Sequence, residues 1–110
     1  MAYDQLLAQR LQEHLDGELG ITHKRMFGGL AFLVNGNMAI SASGQGGLMV
    51  RVEPAQTDEL VSDPHVRRVV MRGREMNGWL RVDTEAVQTD DELLRWVSCG
   101  VNSARTLPPK

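Results

Sequence analysis

Residues able to do chemistry are few in this sequence, and most have a plainer explanation in their setting. The segment Arg25-Met26-Phe27-Gly28-Gly29 suggests a glycine loop around a phosphate. It lacks the GxxxxGK[ST] spacing, and it leads into a strand pattern instead of opening a helix, so no helix N-terminus stands ready for an anion. A bulge, or room for a helix to pack closely on the strand, accounts better for the glycines. Gly44-Gln45-Gly46-Gly47 matches no GxGxxG fingerprint and reads as a turn. His14, His23 and His65 fall on different elements with no i, i+4 pair, short of the three or four converging ligands that zinc requires. The single cysteine, Cys99, lies in a helical pattern with no local sign of activation and reads as a small buried residue. Asp58, Glu59, Asp90, Asp91 and Glu92 fall on helix surfaces, and no serine sits in a nucleophile elbow. No catalytic, metal-binding or cofactor-binding set is expected, and the chain is not expected to be an enzyme.

Charge is the one uneven feature. Residues 65–82 carry Arg67, Arg68, Arg72, Arg74 and Arg81 against Glu75 alone, whereas residues 1–20 carry Asp4, Glu13, Asp16 and Glu18 against Arg10 alone. The arginines could hold phosphates or an acidic protein surface. They also suit the solvated face of an edge hairpin, where charge discourages edge-to-edge pairing. Trp79 could stack on a base, but the dense interleaving of aromatic and basic residues found in single-strand binders is absent. A strand tryptophan more often packs against a core or an interface.

The elements that must position these residues are legible from periodicity. Tyr3, Leu7, Leu11 and His14 or Leu15 recur at helical spacing over residues 3–16, with Leu6 widening the stripe. A strand is predicted from Arg25 to Val34, apolar on both faces, and such a strand is either covered on both sides or exposes one face to a partner. Asn35-Gly36 is the strongest hairpin signal in the chain, because a type I′ turn needs positive φ at both positions. Asn37–Ser43 returns, and Leu48–Val52 follows the second turn. Glu53-Pro54 opens a short helix over Ala55–Val61. Val66–Arg72 and Trp79–Asp83 read as an antiparallel pair around a loop containing Gly73 and Gly78. Thr89-Asp90-Asp91-Glu92 fits a capping box for a last helix, in which Leu93, Leu94, Val97, Val101 and Ala104 form the stripe with Trp96 beside it. The order α-β-β-β-α-β-β-α, with strands joined by turns too short for crossovers, implies an α+β fold: a twisted antiparallel β-sheet with helices packed on one face.

Size and composition fit one domain over residues 1–110. A chain of 110 residues, 42% hydrophobic and 24% charged, buries roughly two-thirds of its unfolded surface without needing staples. The net charge of −2 would not steer the molecule to DNA or anionic lipid. No stretch approaches the length of a membrane span, the start lacks the pattern of a signal peptide, and one cysteine forms no disulfide framework, so a cytoplasmic protein is expected.

RMFGGLAFLVNGNMAI, LMVRV, GREMNGW and the closing WV…LPPK occur in order, and in this the chain resembles the TfoX/Sxy N-terminal-domain family over nearly its whole length. The resemblance implies an α-β(3)-α-β(2)-α architecture similar to secretion-chaperone-like folds. The namesake proteins join this domain to a C-terminal domain in a regulator of natural competence; the sequence ends at Lys110 without that half, so a stand-alone domain is expected. The function expected is that of a small, non-enzymatic, regulatory interaction domain with a protein partner or a second copy of itself. Arg25, Phe27, Arg51, Arg74, Met76 and Trp79 are its candidate contact residues. Nucleic-acid binding through the arginines of residues 67–81 is the second expectation, and a small-molecule pocket or enzyme site between sheet and helices is the third.

Overall fold

The computed structural model describes residues 4–26 and 28–109. Helix α1 (Gln5–Leu15) is capped by the Asp4 carboxylate, which accepts from the Leu7 N–H at 3.1 Å. Strands β1 (Ile21–Met26), β2 (Gly29–Val34), β3 (Asn37–Ala42) and β4 (Leu48–Arg51) follow. After a 3₁₀ turn at Pro54–Gln56 come α2 (Thr57–Leu60), β5 (Val66–Met71) and β6 (Arg74–Val82). A second 3₁₀ turn at Thr84–Ala86 leads to α3 (Asp90–Arg105). Thr89 and Glu92 form the expected capping box of α3.

The six strands form one antiparallel sheet in the order β1-β2-β3-β4-β6-β5. The α+β class and the succession of elements are those expected, with one strand added. Residues 25–34 do not run as a single strand. The chain reverses after Met26, with Gly28 at φ 76, and β1 pairs back along β2 from Ile21↔Val34 to Met26↔Gly29. The glycines of this segment therefore serve a strand reversal and not the seat of a helix. Asn35 and Gly36 both have positive φ (52 and 86), as a type I′ turn requires. Arg72 and Gly73 (54 and 77) make a second such turn, which joins β5 directly to β6 where the sequence suggested a longer loop.

Alternation along the strands builds two cores. On the helix side, Phe32, Ile40, Leu48, Val50, Leu80 and Val82 meet Leu7, Leu11 and Leu15 of α1 and Leu93, Trp96, Val97 and Val101 of α3. Trp96 lies inside this core, whereas Leu6 and Leu94, expected in the helical stripes, are exposed. Tyr3 lies outside the described residues. Gly100 lets α3 approach β3 closely: a Cβ there would stand 2.6 Å from the Ala39 carbonyl oxygen.

The far face of the sheet carries a smaller core of Ala31, Met38, Met49 and Val69, with Met26, Leu33 and Trp79 packed around it. Its cover is the β5–β6 hairpin itself. Arg68 pairs with Leu80 but Val69 with Met76, so residues 77–79 of β6 form a bulge, with Gly78 at φ 85. A bulge bends its strand, and the hairpin end curls across the far face until Val70 lines a cleft with Met26 of β1 and Gly29 of β2. The C-terminal tail is tied down as well: the buried Asn37 amide donates to the Pro108 carbonyl at 2.9 Å.

Candidate functional site

Register decides which candidate residues meet. On β4, Arg51 stands opposite Trp79 of β6, and both point to the far face. The Arg51 guanidinium lies 4.3 Å from the centre of the Trp79 ring, and its Nε donates to the Met38 carbonyl at 2.6 Å. Burial lowers its pKa from the ordinary arginine value, but a guanidinium stays charged in a protein. Among the described residues no carboxylate pairs with it. Its charge is answered by a π face and a carbonyl dipole, which leave part of its hydrogen-bonding fork unused.

Arg74 and Met76 lie further along β6, in the curled hairpin, and both are exposed. Val70, in the same hairpin, is 58% exposed, and Met76 37%. The sheet thus brings Arg51 and Trp79 into contact and sets Met76 three residues from Trp79 on the same strand. Arg25 is not part of this group. It pairs with Leu30 on the helix-side face of the edge strand β1. Phe27 lies outside the described residues.

The basic segment is divided by its partners. Arg67 makes a two-pronged contact with Asp83, at 2.8 and 3.4 Å, and Arg68 pairs with Asp58. Arg81 points to the far face and donates to the Ser43 hydroxyl at 3.0 Å. Arg72 and Arg74 are exposed at the hairpin tip. The five arginines of residues 67–81 are therefore divided between ion pairs, a serine contact on the far face and the hairpin tip.

Between sheet and helices, side chains fill the space: Leu11, Phe32, Ile40, Leu48 and Leu93 are all 0–1% exposed. A surface groove of about 410 Å³ lies between α2 and α3, lined by Glu53, Gln56, Arg95, Cys99 and Asn102 among others. Burial pushes the Cys99 thiol up, opposed by Arg95 and reinforced by Glu53, which suppresses the thiolate a nucleophile needs.

One cluster escaped the sequence. His65, Asp83 and Glu85 place one donor atom each within 4.8 Å of one another, because the Asp83 N–H bonds to the His65 carbonyl and aligns the two strand ends. Three donors could seat a cation with water completing its shell. The Arg67 guanidinium already holds Asp83, and Glu85 is 65% exposed, so the group reads as an ion-pair network. No helix of the described residues is long and apolar enough to cross a membrane.

No curated protein and no solved structure matches the chain significantly. The family model of the TfoX N-terminal domain matches residues 13–104, which take in every strand, α2 and nearly all of α3, but only the end of α1. The chain belongs to the TfoX N-terminal domain family.

Proposed function

We propose that this protein is a small, non-enzymatic, regulatory interaction domain that binds a protein partner through the far face of its sheet. The observation that carries the reading is the Arg51–Trp79 pair, an arginine stacked on an indole with no carboxylate partner among the described residues, continued by exposed Met76. Tryptophan, arginine and methionine are the residue types enriched where proteins bury contact surface. Self-association through the same face is one form this binding takes. The single cysteine suits a reducing compartment, and we place the domain in the cytoplasm.

The test is capture from an extract of the native cell with wild-type chain and with the Arg74→Glu/Met76→Glu variant. Both positions are exposed, so stability should change by no more than about 0.5 kcal/mol per site. A discrete partner, or the chain itself, should be retained by the wild type and lost by the variant. Retention of the same partner by both would contradict the reading. The nucleic-acid alternative is weaker, since Arg67 and Arg68 are neutralised by Asp83 and Asp58. Titration of labelled DNA and RNA at low salt, where phosphate contacts are strongest, should give no saturable binding.

A further inference from the structure

A cleft of about 100 Å³ opens on the far face where the β5–β6 hairpin curls over the start of β2 and the turn after β3. It is lined by Met26, Gly29, Ser41, Ser43, Gly44, Gln45, Met49, Val70 and Arg81, with no carboxylate among them. We propose that this cleft binds a small carboxylate bearing a short apolar group, held by the Arg81 guanidinium and the Ser41 and Ser43 hydroxyls.

The chemistry follows from three features. Arg81 sits opposite Met49 on β4, is partly buried, and has no ion-pair partner among the described residues. One of its Nη groups donates to the Ser43 hydroxyl, and a guanidinium has five N–H donors, so this side chain lining the cleft keeps donors to spare. Ser43 Oγ accepts from both Arg81 and the Gln45 N–H (3.1 Å), which leaves its own hydrogen to donate to an anion. Ser41, 5% exposed, stands between Ala31 and Met49 in the cross-strand row and turns a second hydroxyl to the same side.

Size and charge select the ligand. A water molecule's share of liquid is roughly 30 Å³, so the cleft holds only a few heavy atoms. The lining supplies one positive charge, which balances a monoanion and undercompensates a phosphate dianion. Met26, Met49 and Val70 form an apolar wall suited to a methyl or ethyl substituent and not to further charge. A free short-chain acid and the C-terminal residue of a peptide both present this group.

Backbone amide spectra of the full chain, titrated with propionate, with Gly-Gly-Ala, with the same peptide amidated at its C-terminus, with phosphate and with sodium chloride at matched ionic strength, test the proposal. Propionate or the free-acid peptide should shift the Ser41, Ser43, Gly44 and Gln45 signals saturably, and the tighter of the two names the source. Arg81→Met should weaken that binding by about tenfold or more, since it removes the charged donor. The proposal is overturned if sodium chloride reproduces the shifts, if the amidated peptide or phosphate binds as tightly, or if Arg81→Met binds like wild type. Should Arg81→Met not fold, Ser41→Ala decides: weaker carboxylate binding supports the site and unchanged binding overturns it.

Discussion

Arg51 shows how a single side chain joins the structure to its proposed use. Its Nε–Met38 bond and its stacking on Trp79 fix the guanidinium in one place on the far face. Arg51→Met should remove a charged hydrogen bond and a cation–π contact, at a cost of about 1–3 kcal/mol in urea unfolding. A change inside 0.5 kcal/mol would mean that neither contact supports the fold. Neither was legible in the sequence, because the partners lie on strands whose register only the folded sheet reveals. The Arg81–Ser43 contact was hidden for the same reason, and Arg81 read only as one charge in a basic run. Cys99 was legible: a lone cysteine in a helical pattern proves half-buried, and burial raises its pKa. It should therefore react with iodoacetamide more slowly than cysteine in the unfolded chain at the same pH. The folded state holds this proton more tightly, so the associated stability falls as pH rises through the thiol range. Equal rates in folded and unfolded protein would contradict the burial.

At the scale of elements, the packing of α3 on β3 sets the architecture. Propensity alone says that Gly100→Ala should stabilise the helix by about 1 kcal/mol. The added Cβ would stand 2.6 Å from the Ala39 carbonyl, and overpacking costs about 1–3 kcal/mol. The clash should win, giving net destabilisation by chemical denaturation; a gain in stability would show that helix and sheet can separate freely. Turn chemistry explains which elements could be read in advance. Asn35-Gly36 announces its hairpin because both residues tolerate positive φ. Arg72-Gly73 makes the same turn with an arginine at the first position, a type that gives no warning of it. Strand β1 gave no such signal: Thr22, His23, Lys24 and Arg25 are polar and exposed, so only Met26 at its end joined the apolar pattern of β2. Leu94 and Trp96 exchanged roles because helical spacing places both near the stripe, and only the contact with the sheet chooses between them.

For the whole molecule, the sheet divides two tasks. One face takes both long helices and holds the main core; the other is closed by the β5–β6 hairpin and gathers Arg51 and Arg81, which have no ion-pair partner among the described residues, beside methionines and a tryptophan. The family model spans the whole sheet and nearly all of α3, so the two faces belong to the domain. The central claim is that partners dock on the far face. A photo-crosslinking amino acid in place of Met76 tests it directly, with the same group in place of Leu6 on α1 as the control, since both positions are exposed. In an extract of the native cell, the far-face position should yield a discrete protein adduct and the helix-side position only background. Adducts confined to the Leu6 position, or equal at both, would contradict the account.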